Sequence, residues 1–214
     1  MAISYTLGGL KAVIADDLAR PDLALQIENA IETSINFWKG KRFFFNETRT
    51  ATFDTVADQS FYSSVDDADI PLFLELDDVF LTDSDGNRVE LTLDDPARLH
   101  WLLGTGAGSG QPYSYGYYNS GFILYPIPDA VYTITPMGHI EIAAPASDSE
   151  TGNAWMVNAF ELIRAHAKSY LYSHTIRDPE GKAEAIDAAQ SAKMKLYGDT
   201  NRRVVTGSIQ RTSF

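Results

Sequence analysis

The spacing of apolar residues changes period twice along this chain, and that pattern limits the fold more than any single motif. Up to about Gly40 the period is helical. Leu7 to Ala19 reads as a short helix that Pro21 ends, with Asp22 able to cap the next one. In that second helix Leu23, Ile27, Ala30, Ile31, Ser34 and Trp38 fall on one stripe, and Gly40 stops it. From Thr50 to Ala144 the period is two. Candidate strands are Thr52 to Val56, Val79 to Leu81, Val89 to Leu93, Phe122 to Tyr125 and Val131 to Ile134. A short helix from Asp95 to Leu103, with Pro96 in its first turn, interrupts them. After a polar spacer, Ser147 to Asn153, the helical period returns. A helix from Ala154 to about His174 sets Met156, Phe160, Ile163, Ala167 and Tyr170 on one face, and an alanine-rich helix runs from Pro179 to Tyr197. The pattern predicts an α+β fold. Residues 1–49 and 150–199 form a helical bundle, 50–149 a mostly antiparallel β-rich insertion, and 200–214 a tail.

The chemistry this sequence can support is narrow. A chain of 214 residues with 44% hydrophobic content can bury a sizeable core, while a net charge of −12 opposes any grip on nucleic-acid phosphates. The absence of cysteine removes disulfides, thiolate nucleophiles and cysteine metal sites, and fits a reducing cytoplasm. Residues 1 to 20 hold no basic segment followed by a long apolar run, and about 18 consecutive apolar residues occur nowhere, so neither a signal-led export nor a membrane span is expected. His100, His139, His166 and His174 form no HExxH pair; no metal or other cofactor is expected. "GTGAGSGQP" at Gly104 lacks the Gly-Lys-Ser/Thr of a phosphate cradle and reads as a loop. "DSDGN" at Asp83 has its glycine two places early for a calcium loop and reads as a hairpin turn. No Gly-x-Ser-x-Gly occurs, and an enzyme would have to draw on carboxylates such as Asp77 with Asp94. A carbohydrate-binding module is the alternative from another class, with Tyr113, Tyr115, Tyr117 and Tyr118 as stacking platforms.

Charge and aromatic residues are distributed unevenly. Between Asp54 and Asp95 thirteen acids face Arg88 alone, whereas Lys39, Lys41, Arg42 and Arg49 surround the run Phe43-Phe44-Phe45. The tail carries Arg202, Arg203 and Arg211 with no acid. Such polarity suits head-to-tail contact between copies, or contact with an acidic partner, as well as a merely solvated surface. "RFFFNE" at Arg42, "TFDTVADQSFY" at Thr52, "LYPIPD" at Leu124 and "WMVNAFELIRAHAKSYLY" at Trp155 together resemble the head-tail adaptor (connector) proteins of tailed bacteriophages, over about Ile27 to Tyr197.

The resemblance implies a structural virion protein at the head-tail interface, made in the host cytoplasm and without enzymatic activity. It further implies a homo-oligomeric, dodecameric ring beneath the portal protein, extending the DNA channel and offering a platform to tail proteins. DNA would pass through without specific binding, and no membrane is involved. In that frame Phe43 and Phe45 fill a core against the β insertion while Phe44 faces a neighbouring subunit; the competing reading buries all three within one chain. Arg42, Phe43, Phe44 and Phe45 are therefore candidate interface residues. So are Arg202, Arg203, Val204, Val205, Ile209, Arg211 and Phe214 of the tail, read as a docking arm that is loose in the free subunit and ordered by the portal or an adjacent adaptor.

Overall fold

A computed structural model describes residues 4–106 and 108–203. The fold is α+β, with six α-helices and mostly antiparallel sheets among the described residues. The chain divides into two compact units, Met1–Asn46 with Ile142–Phe214, and Glu47–Glu141.

In the first unit the apolar stripes meet around one core. Helix α1 (Leu7–Asp17) starts where the Thr6 hydroxyl accepts the Gly9 amide at 3.1 Å, and it buries Leu10 and Ile14. Helix α2 (Ala24–Trp38) is led in by a 3₁₀ turn at Pro21–Leu23. Asp22 does not cap it, because its carboxylate is held by Arg20 at 2.8 Å. All six residues of its expected stripe are buried. The single helix expected from Ala154 to His174 is three pieces. Helices α4 (Ala154–Asn158) and α5 (Phe160–Leu171), numbered after α3 of the second unit, meet at Ala159, whose ψ of 15° breaks the helical turn. A π turn, Tyr172–Ile176, then ends at Arg177 in the left-handed region. Helix α6 (Pro179–Arg203) runs through Gly198-Asp199, where the sequence suggests a stop. Leu196 and Thr200 are buried on either side of Gly198, and Asp199 holds Arg202 at 2.6 Å, which outweighs the glycine's helical cost of about 1 kcal/mol. The core combines Leu10, Ile31, Trp38, Phe43, Trp155, Phe160 and Leu196. Asp17 bonds Arg164 at 2.7 Å and Lys168 at 3.0 Å, joining α1 to α5.

The second unit has two sheets. One is ordered β1 (Glu47–Thr48), β9 (Thr133–Ile140), β4 (Phe73–Thr82), β5 (Arg88–Glu90), with β2 (Phe53–Asp54) also on β9. The other is ordered β3 (Phe61–Ser63), β8 (Gly121–Tyr125), β7 (Ser114–Tyr118), β6 (Thr92–Leu93). Their facing side chains share a core: Phe53, Val79, Leu81 and Ile134 from the first, Tyr62, Tyr115, Phe122 and Leu124 from the second. Helix α3 (Pro96–Gly104) covers the outer face of the second sheet, its start capped by the Asp95 carboxylate on the Ala97 amide at 2.8 Å. Leu99 and Pro96 come so close to Gly116 that a Cβ there would lie 3.2 and 3.1 Å from them. This two-sided cover explains why β8 is apolar without alternation: Phe122 and Leu124 face the sheets' core, and Ile123 lies on the α3 side. The "DSDGN" stretch is the β4–β5 hairpin turn, with Gly86 at φ +83° and the Asp83 carboxylate accepting the amides of Asp85 and Asn87.

Candidate interaction surface

The triple phenylalanine forms a lid on the helical core and brings two of the expected interface clusters together. After α2 the chain turns through a 3₁₀ segment, Phe44–Asn46, fixed by the buried Asn46 side chain. Its Oδ1 accepts the Phe43 amide at 2.9 Å, and its Nδ2 donates to the Lys41 carbonyl at 2.9 Å. Because this is a turn and not an extended strand, Phe43 and Phe45 lie on one side. Their rings stack 5.2 Å apart, Phe43 stacks on Tyr197 at 5.6 Å, and both meet Trp155 edge-on. These two rings therefore pack into the core of the helical unit, not into a β-sheet core as the alternating reading had it. Trp155 is itself anchored by its indole N–H, which donates to the Ile142 carbonyl at 3.0 Å.

Phe44 is half-buried and packs on the same core, its ring edge-on to that of Phe45 at 5.5 Å. Its amide donates to the Thr200 hydroxyl at 3.1 Å, which in turn donates to the Leu196 carbonyl at 2.8 Å. The Arg203 guanidinium sits 3.9 Å above the Phe44 ring, a cation–π contact. Phe44 and Arg203 belong to one groove, with Tyr5, Val157, Phe160 and Leu196 among its apolar walls. Tyr5 and Val157 are about half exposed, at 53% and 52%, and Glu161, Lys195 and Asp199 line the groove beside them. Neither residue stands out in the sequence, because Val157 looks like an ordinary turn of helix and Tyr5 precedes the first periodic segment. Arg42 and Arg202 are exposed beside this region of sequence. Val204, Val205, Ile209, Arg211 and Phe214 lie outside the described residues.

Other candidates disperse. His100 contacts the Tyr118 hydroxyl, His139 is buried 3.9 Å from the Asp77 carboxylate, His166 bonds the Ser34 hydroxyl at 3.0 Å, and His174 meets the Tyr170 carbonyl at 3.0 Å. Among the described residues no group of three or more His, Cys, Asp or Glu side chains could hold a metal. Half-burial pushes the His166 imidazole below its ordinary value. Burial would raise the Asp17 carboxyl, but hydrogen bonds from Arg164 and Lys168 win and hold it below the usual range. The Asp94 carboxylate is taken up by Arg98 at 2.9 Å. Tyr113, Tyr115, Tyr117 and Tyr118 do not form one platform: Tyr115 is buried, Tyr117 packs on Phe122 and accepts the Phe73 amide, and Tyr113, just before β7, leans exposed on Tyr125.

Net charge separates by unit. Glu47–Glu141 holds sixteen carboxylates against three arginines, a balance of −13. The remainder holds thirteen carboxylates and fourteen lysines and arginines, a balance of +1. The three arginines of the acidic unit are also engaged, Arg49 with Glu47, Arg88 over the Phe80 ring and Arg98 with Asp94. The net negative charge of the molecule is therefore carried by the β unit.

A family model described as SU10 adaptor protein matches residues 5–212 of the chain. No curated protein matches it.

Proposed function

The chain belongs to the SU10 adaptor protein family, and from that membership we propose that its copies form a ring beneath a phage portal protein, extend the DNA channel and give tail proteins a platform. Membership makes it a phage structural adaptor and a component of the virion, in a family that is typically non-enzymatic. The family match over residues 5–212 is the observation that carries the proposal.

The finer roles are our reading. A dodecameric ring would set the acidic β units side by side, and a −13 unit repels DNA phosphates, so DNA would slide past without being held. The helices of residues 1–49 and 150–199 act as a bundle that carries the partner face, with Arg42, Phe44 and Arg203 at its surface. Residues 50–149 form the inserted acidic body. Residues from Thr200 onward supply a docking arm, its first turn continuing α6 and its remainder offering Val204, Val205, Ile209 and Phe214 with Arg211 to the portal or an adjacent copy. The test is genetic. Phage assembled without this chain should accumulate heads that lack tails, and normal tailed, infectious particles would refute the role.

A further inference from the structure

We propose that the acidic turn carrying Val65 in one copy seats in the groove of Tyr5, Phe44, Val157, Phe160, Lys195 and Arg203 on a second copy. The groove combines apolar walls with two cations. Its own carboxylates are already engaged, Glu161 with Arg164 at 3.2 Å and Asp199 with Arg202 at 2.6 Å. Lys195 and Arg203 have no carboxylate partner among the described residues, and the contact of Arg203 with the Phe44 ring leaves its charge in place. The groove therefore fits an apolar group flanked by negative charge. It opens about 370 Å³, room for one projecting side chain and its neighbours.

The β unit of the same chain supplies that group. Val65 is 93% exposed, the most open of the large apolar side chains among the described residues. The turn beneath it is fixed: the Asp66 carboxylate accepts the Ser63 amide and the Gln59 side-chain amide, both at 2.9 Å, and the Ser63 carbonyl accepts the amides of Asp66 and Asp67. A tip held in this way loses little freedom on docking. Asp66, Asp67 and Asp69 share the turn with Val65, and none of them has a cationic partner among the described residues. The two faces also belong to units of unlike charge, −13 for the turn and +1 for the groove. Because the faces differ, the contact is heterologous. Repeated about an axis it closes a ring, whereas a face that meets its own copy stops at two subunits. The contact deepens the ring reading above and rests on it only for closure.

The absence of cysteine lets the contact be read directly. Full chains carrying Val65→Cys, mixed at high protein concentration with full chains carrying Val157→Cys, should form the mixed disulfide under mild oxidation. It should form at least tenfold faster than the one between Trp101→Cys and Val157→Cys chains. Trp101 is 66% exposed on α3, in the same acidic unit and away from the turn. Adding Asp69→Lys to the Val65→Cys chain should remove the advantage, and adding Lys195→Glu to the Val157→Cys chain should then restore it. Asp69 and Lys195 are exposed, and the turn is held by Ser63, Asp66 and Asp67, so both variants keep their fold. Equal rates for the Val65→Cys and Trp101→Cys chains, or rates indifferent to the charge changes, would each overturn the contact. A ring of copies on the portal with those rates equal would leave the ring reading standing and refute the Val65 contact, while a fast mixed disulfide with no ring on the portal would support the contact and refute the ring.

Discussion

Trp38 joins two features that pull in opposite directions. Its ring is buried against Phe43 and His166, yet its indole N–H finds no hydrogen-bond partner. Trp38→Ala removes the ring and leaves a cavity, which should cost about 3–5 kcal/mol. Trp38→Phe keeps most of the apolar contact and deletes the unpaired donor, so it should cost less than about 1.5 kcal/mol. Denaturant unfolding of both variants checks this; equal losses would mean that the indole N–H does have a partner. His166, stacked on Phe37 at 4.8 Å, supplies the pH dependence. Its folded value lies below 6.5, so the unfolded state binds the proton more readily. Stability from this group is complete above about pH 6.5 and is lost as pH falls through the depressed value. His166→Phe should flatten the melting temperature against pH in that acidic range while keeping the stacking, and an unchanged slope would assign the acid sensitivity elsewhere.

Strand β9 shows at the scale of elements what the sequence could and could not reveal. Only its first two residues fall within the expected strand Val131 to Ile134, because Pro136 and Gly138 look like breakers. The structure gives both a place. β2 pairs with β9 at Thr133 and Ile134 and β1 pairs at Gly138 and His139, so Pro136, opposite Val79 of β4, falls in the gap between the two short partners. Gly138 faces a register shift in β4, where a Cβ would stand 2.2 Å from the Glu75 carbonyl oxygen. Gly138→Ala should therefore force β4 and β9 apart and cost about 1–3 kcal/mol, seen as a lower unfolding midpoint and faster amide exchange in β4. Wild-type exchange there would show that the bulge is adaptable. The α2 stripe and the Asp95 start of α3 were legible because they depend on local spacing and capping. The short strands β1, β3 and β7 were not, since two to five residues carry no period and β7 places a glycine under α3. The end of α6 was misleading for a related reason: burial of Leu196 and Thr200 is a tertiary effect that overrides the glycine's local preference. In the candidate surface, the Phe44 and Arg203 residues were individually visible, but their meeting, and the contribution of Tyr5 and Val157, needed the fold.

For the molecule as a whole, the separation of charge is the property an assembly would have to manage. Bringing several −13 units side by side is repulsive, and the repulsion is screened over about 10 Å at 0.1 M salt. Ring formation would thus need a favourable partner face elsewhere, which the near-neutral helical unit with its Phe44, Val157 and Arg203 surface can supply. Assembly should be weak for the isolated chain at low salt and strengthen when a portal ring fixes the subunits in place. The mass of the purified protein, alone and after mixing with portal rings of its own phage, tests this most directly. The account predicts subunits or small assemblies alone, and with the portal a discrete complex that adds one complete ring of adaptor copies. A mixture in which portal and adaptor masses remain separate at every salt concentration would contradict it.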